Sequence, residues 1–146
     1  MKELKHIVFL MATIVVFAGC SSSSDIGGQQ YEVFENHNIS ACGIKDPLKN
    51  IEWLKKYCIS LNETQNFSSV YIYIYKVINT NEHIFKIGIS YSDFDNSPFL
   101  YSEYWRDCIG EPVFSIHSGV PAMPELVEEF LKDKEYIAEL YHLVKR

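Results

Sequence analysis

The chain carries none of the common catalytic signatures. It has no G-x-S-x-G, H-E-x-x-H, Walker loop, G-x-G-x-x-G or C-x-x-C, so serine-hydrolase, zinc-protease, nucleotide-binding and dithiol-redox chemistry have no local support. It also lacks an apolar run long enough to span a bilayer. The longest, Ile7 to Phe17, is eleven residues broken only by Thr13, against the ~20 that a spanning helix needs. Basic charge is scarce. Removing Lys2, Glu3 and Lys5 with the first nineteen residues leaves 11 Lys+Arg against 18 Asp+Glu. That net of −7 disfavours a phosphate backbone as partner and electrostatic adhesion to anionic lipid. Metal-binding patterns are missing too: D-F-D-N-S at Asp93 to Ser97 has neither the Gly nor the closing Glu of an EF-hand and reads as a turn. No metal site, cofactor or nucleic-acid partner is expected.

What is present begins with an address. Lys2 and Lys5 form a positive n-region, Ile7 to Phe17 an h-region, and Phe17-Ala18-Gly19 a small-residue cleavage zone. Cys20 follows at once, then Ser21-Ser22-Ser23-Ser24. The run Val16-Phe17-Ala18-Gly19-Cys20 resembles the lipobox of bacterial lipoproteins, with Phe17 where Leu is usual. The resemblance implies cleavage before Cys20, diacylation of its sulfur and acylation of its new amino group. Residues 1–19 are then a signal peptide, 20–30 the lipidated cysteine with a flexible Ser/Gly/Gln tether, and 31–146 one domain. The implied location is the bacterial cell envelope outside the cytoplasm, at the outer membrane, held by acyl chains worth ~0.8 kcal/mol per buried CH₂.

Within the domain, Asp46 and Pro47 suit an N-cap and a first helical position. Ile51, Leu54, Cys58 and Leu61 then recur at helical spacing, flanked by Trp53 and Tyr57. Tyr31 to Ile39 gives only a weak strand signal. Ser69 to Ile78 alternates clearly: Val70, Ile72, Ile74 and Ile78 share one face, and Tyr71, Tyr73 and Tyr75 the other. Ile84 to Tyr91 returns as the second arm of a hairpin, with Phe85, Ile87, Ile89 and Tyr91 on its apolar face. Strands at Phe99 to Arg106 and Val113 to His117 follow, separated by a turn at residues 107–112. The tail reads either as one helix from Leu126 to the C-terminus or as a helix ending at residues 132–134 and a strand at Ile137 to Val144. The expected fold is α+β: an N-terminal helix, an antiparallel sheet of four to five strands, and a C-terminal helix with or without a final strand.

Cys42, Cys58 and Cys108 remain after the lead cysteine, and export permits a disulfide. Cys42 and Cys58 lie at opposite ends of the predicted helix, too far apart to bond. Cys108 is therefore the common partner. Cys58 falls on the apolar helix face and reads as a buried small hydrophobe, so Cys42–Cys108 is the expected pair.

Cys42-Gly43, Pro47-Leu48 and Ile51-Glu52-Trp53-Leu54-Lys55, followed by a Tyr-rich hairpin and Asp107-Cys108-Ile109-Gly110, resemble a pattern in small lipoproteins of Bacteroides and relatives. The likeness runs from Cys42 to His117, with Glu52 in place of the usual Pro before Trp53. It implies an envelope location and an architecture but no activity. It also implies the Cys42–Cys108 pair and a short closing strand, which favours a strand at Ile137 to Val144.

Aromatic residues make up 14% of the chain, enough to single out one surface. Tyr71, Tyr73 and Tyr75, extended by Tyr101, Tyr104 and Trp105, form a candidate recognition stripe on the sheet face away from the helices. The ordinary reading is cross-strand Tyr pairs stabilising a half-wet sheet. The functional expectation is a non-enzymatic lipoprotein binding an envelope or extracellular protein through that stripe. Glycan or small-molecule binding is the alternative, and a small hydrolase using Cys58 or His117 comes third.

Overall fold

The computed structural model describes residues 20–26, 29–64, 67–91, 100–117 and 124–146. The expected signal peptide at 1–19, the segment with Asp93 and Asp95, and most of the Gly119 to Pro124 segment lie outside the described residues. Among the described residues, nine strands and three short helices follow in the order β1 (Cys20–Ile26), β2 (Gln29–Glu35), β3 (Ser40–Ala41), β4 (Ile44–Lys45), α1 (Pro47–Asn50), α2 (Glu52–Glu63), β5 (Ser69–Val77), β6 (His83–Ser90), β7 (Tyr101–Arg106), β8 (Pro112–His117), α3 (Pro124–Leu131) and β9 (Lys134–Lys145). Seven strands form one antiparallel sheet ordered β1-β2-β9-β5-β6-β7-β8, and β3 with β4 makes a small separate ribbon.

The expected α+β fold is corrected to a mainly β one. No helix opens the described chain, because four strands precede α1. The sheet is larger than four or five strands, and the helix before the tail spans only Pro124–Leu131. Residues 20–30, expected as a flexible tether, instead contribute β1 and the start of β2, with Cys20 opposite Glu35 and Ile26 opposite Gln29. A Ser-rich segment can do this at a sheet edge, where backbone pairing on one side suffices and no side chain need reach the core.

The tail ends in a strand, longer than Ile137 to Val144. Pairing between β5 and β9 shifts register between Ile72 and Tyr73 and again between Ile74 and Tyr75. These bulges insert Leu140 and Ile137 as extra residues and break the two-residue alternation. Buried Leu140 and Tyr141 therefore stand side by side in sequence, which mimics helical spacing.

The core lies between α2 and one face of the sheet. Val70, Ile72 and Ile74 of β5, Phe85 and Ile87 of β6, and Tyr141 and Leu143 of β9 pack with Ile51, Leu54 and Leu61. Burying each of these larger side chains contributes ~1.5–3 kcal/mol. Ile78, expected on this face, lies past the end of β5 in the turn and is exposed. Asp46 occupies the N-cap position of α1 with Pro47 at the first turn, as expected, but it is left-handed at φ 52 and its side chain makes no capping bond. Its Oδ1 instead lies 2.9 Å from His37 Nδ1, and its Oδ2 3.4 Å from Lys49 Nζ.

The segments quoted for the lipoprotein resemblance meet at one clasp. Cys42 and Gly43, at φ 58 and 70, form the two-residue turn of the β3–β4 ribbon, the twist that tight hairpins favour. From that turn Cys42 bonds to Cys108, with Cα atoms 5.8 Å apart. Trp53 Nε1–H donates to the Cys108 carbonyl at 3.1 Å, and its ring meets Phe85 edge-on at 5.5 Å. Gly110, at φ 92, lies so close under Trp53 that a Cβ would fall 2.8 Å from the indole. Asp107 Oδ1 closes the turn by accepting from the amides of Ile109 and Glu111. Cys42-Gly43, Trp53 and Asp107 to Gly110 thus tie the ribbon, α2 and the β7–β8 turn together.

Candidate functional site

Register decides which aromatic residues share the face opposite α2. In the β5–β6 ladder Tyr71 pairs with Gly88 and Tyr73 with Lys86, while in β6–β7 Gly88 pairs with Glu103 and Lys86 with Trp105. On the other flank of β5, Tyr71 pairs with His142, Tyr73 with Glu139 and Tyr75 with Tyr136. His142 in turn pairs with Phe34 of β2. One face therefore runs from Phe34 through His142, Tyr136 and the three tyrosines of β5 to Tyr101, Glu103 and Trp105.

Ring contacts make this face continuous. Phe34 stacks on His142 at 5.2 Å, His142 meets Tyr71 at 5.7 Å, and Tyr71 stands parallel to Tyr73 at 6.0 Å. Tyr136 packs edge-on against both Tyr73 and Tyr75, at 6.0 and 5.6 Å. Tyr75 reaches Trp105 at 4.8 Å. Phe130 of α3 covers the far side of Trp105 at 5.1 Å and stacks on Phe114 of β8 at 4.3 Å. Such pairs contribute ~0.5–1.5 kcal/mol each beyond burial.

Beneath the rings sits a carboxylate that the sequence did not single out. Glu103 is 7% exposed. Its Oε1 accepts from Trp105 Nε1–H at 2.7 Å. Its Oε2 accepts from the Tyr101 hydroxyl and lies 2.8 Å from Lys86 Nζ. Lys86 also lies over the Trp105 ring, 5.4 Å from its centroid. Gly88 makes room for this arrangement, since a Cβ there would fall 2.9 Å from the Tyr101 hydroxyl oxygen. Three donors on one buried carboxylate fix its neighbours in place, as a low-dielectric site requires. The signal was available in Tyr101-x-Glu103-x-Trp105, three same-face residues on one strand with an acid at the centre.

Burial raises three of the tyrosine hydroxyls on this face. It pushes Tyr73 up to about 12, with the Glu139 charge adding to the effect. Tyr101 is raised by burial and then by Glu103, and Tyr136 by burial and then by Glu139. Tyr73, Tyr101 and Tyr136 therefore offer neutral hydroxyl tips on apolar rings.

Of the six residues expected in the stripe, Tyr71, Tyr73, Tyr75 and Tyr101 lie on this face. Tyr104 does not: one residue from Glu103, it points to the α2 side, packs against the core and meets His117 edge-on at 5.2 Å. Trp105 is on the face but fully buried, so it supports the surface rather than presenting it. Phe34, Tyr136 and His142 were missed because β2 and β9 lacked clean alternation.

Cys58 and His117 do not converge. Cys58 lies near enough to Glu35 of β2 to feel its charge, and burial above all pushes its thiol up to about 12, the wrong direction for a nucleophile. His117 is on β8, beyond β5, β6 and β7 from β9. Among the described residues, Cys58 and His117 share no site. Among the described residues no group of three or more His, Cys, Asp or Glu is placed to hold a metal ion, and no helix is long and apolar enough to cross a membrane. No family model, curated protein or solved structure matches the chain.

Proposed function

We propose that this chain is an envelope lipoprotein, acylated at Cys20, that acts without catalysis by binding a protein through its aromatic sheet face. The observation that carries the reading is the face itself. Tyr71, Tyr73, Tyr101 and Tyr136 keep part of their surface open, and all stand on neighbouring strands braced by buried Trp105 and Glu103. Rings with few rotamers and polar tips give large contact area at low ordering cost, and Lys86 at the centre is already paired with Glu103. That composition matches the core of protein interfaces, which are aromatic and charge-poor. The lipobox and the lipoprotein-like segments support the location.

The test is in-cell crosslinking and co-purification from the native envelope, comparing wild type with Tyr71→Ala/Tyr73→Ala/Tyr136→Ala. A near-stoichiometric protein captured by wild type and lost by a variant of normal secondary structure supports the proposal. Equal capture by both removes the face from the interface. Recovery of wild type alone shifts weight to glycan or small-molecule binding, to be screened by ligand-induced thermal stabilisation.

A further inference from the structure

The aromatic face carries two carboxylates among its rings, Glu103 and Glu139, and the chain answers only the first with a lysine. Pairing across the sheet sets Trp105, Lys86, Tyr73 and Glu139 in one row. At the Trp105 end, Lys86 Nζ lies 2.8 Å from Glu103 and 5.4 Å from the centroid of the indole. Acid, ring and cation are complete there. At the other end the acid is Glu139, with its side chain 30% exposed and its Oε1 2.9 Å from His142 Nδ1. Tyr73 is its cross-strand partner, and Tyr136, 53% exposed, meets Tyr73 edge-on at 6.0 Å. This end repeats the ring and the acid. Among the described residues, no lysine or arginine makes an ion pair with Glu139.

The cations on nearby strands are engaged elsewhere. Lys86 stands two strands away from Glu139, about 10 Å at strand spacing, and is held by Glu103. Lys76 faces Glu135 at 3.8 Å, Lys134 holds Asp133 at 2.7 Å, and Arg146 reaches Glu32 at 3.3 Å. The Glu139 charge acts on both adjacent rings, helping burial to raise the hydroxyls of Tyr73 and Tyr136. Ring faces are themselves electronegative. A cation laid on this end therefore gains from the rings and from the carboxylate together, whereas a neutral group gains from neither charge.

We infer that Tyr73, Tyr136 and Glu139 form the seat for a basic side chain of the protein partner, an arginine laid on the rings with its guanidinium against the carboxylate. The inference rests on reading the face as a protein-binding surface, and adds the chemistry that the partner must present. Arginine suits the seat better than lysine because its planar, weakly hydrated group stacks on rings while bonding to a carboxylate. The partner's cation then does for Glu139 and its tyrosines what Lys86 does for Glu103 and Trp105.

Glu139→Gln removes the charge while keeping the size and an acceptor for His142, and should melt as wild type does. Two measurements at pH 8 use it. The first is the envelope capture described above: the protein caught by wild type should be held about fivefold more weakly by Glu139→Gln. A protein lost by the triple tyrosine variant but held undiminished by Glu139→Gln overturns the inference and leaves the protein-binding reading intact. The second titrates the whole chain, purified from that envelope, with N-acetyl-arginine methylamide and reads the NMR shifts of the Tyr73 and Tyr136 rings. Saturable shifts, about fivefold weaker in affinity for Glu139→Gln and absent with the uncharged citrulline analogue, support the seat even if no protein is captured. Equal shifts with citrulline, no shifts with arginine, or an affinity unchanged in Glu139→Gln overturn it.

Discussion

Replacing Glu103 by Leu would remove the acceptor that three side chains share. Trp105 is fully buried and its Nε1–H would lose the Glu103 acceptor, at a cost of ~1–3 kcal/mol. The Tyr101 hydroxyl, on a residue 39% exposed, can recover water and should contribute less than ~1 kcal/mol. Lys86, with its side chain 21% exposed, would be left half-buried beside an apolar group, adding a further ~1 kcal/mol. The sum is about 3 kcal/mol, a substantial share of the ~5–15 kcal/mol that stabilises an ordinary domain. For a domain near this size it corresponds to a fall in Tm of roughly 10–15 °C. Glu103→Gln keeps the shape and one acceptor and should cost less. Urea unfolding followed by far-UV circular dichroism reads the free energy, with the denaturant slope checked for constancy. The double variant Glu103→Leu/Lys86→Met should be more stable than Glu103→Leu alone, because it removes the stranded charge along with its partner. A Glu103→Leu protein within about 0.5 kcal/mol of wild type, or a double variant no better than the single, would refute this account of the face's foundation.

Cys42 and Cys108 close a loop spanning 66 positions. Chain entropy puts the loss for Cys42→Ala/Cys108→Ala at about 4 kcal/mol. Urea unfolding of the double variant against the oxidised wild type checks this, and a loss below about 1 kcal/mol would show that Trp53 and the ribbon hold the clasp unaided. His37 predicts a pH dependence. Its hydrogen bond to Asp46 first, against burial and with help from Glu35, raises it above 6.5. Burial of Asp46 is outweighed by the bond and charge of His37 and by Lys49, so Asp46 falls below 3.8. The His37 contribution is thus complete below its unfolded value and lost as pH rises through its raised folded value. That of Asp46 is present above 3.8 and lost as pH falls through its lower one. His83, lowered by burial and then by the Lys76 charge, acts with the opposite sign near neutrality. The stability gap between wild type and His37→Asn should therefore narrow from pH 5.5 to pH 8, and a constant gap would contradict it.

Legibility followed the regularity of each element. β5 through β8 were readable almost to their ends because Val70, Ile72 and Ile74 alternate with Tyr71, Tyr73 and Tyr75, and β6 repeats the pattern. The stripe at Ile51, Leu54 and Leu61 marked α2, and reach along that helix with the apolar setting of Cys58 singled out the disulfide pair. β1 was illegible because a Ser-rich edge strand needs only backbone pairing to form, which leaves no apolar period in the sequence. β9 was ambiguous because its two bulges erase the period on which strand recognition depends. The candidate face inherited both faults: Tyr104 was counted on it before pairing had fixed parity, while Phe34, Tyr136 and His142 were left off with their strands. Glu103 was passed over because an acid within an aromatic strand carries no periodic signal, and only the third dimension brings Lys86 to it.

The strand order β1-β2-β9-β5 also sets a timetable. β5 to β8 form a local meander that can pair as soon as it emerges, but β2 has no seat until the last twelve-residue strand has arrived beside β5. The N-terminal ribbon β1–β2 must therefore wait, joined to the sheet by contacts more than a hundred residues apart in sequence, which slow folding through loop closure. Until residue 145 is available, β5 presents a bare edge of alternating Ile and Tyr, the kind that invites pairing with other chains. A chain cut before β9 should thus fail in two places at once, shedding its first strands and leaving its aromatic edge exposed to aggregation.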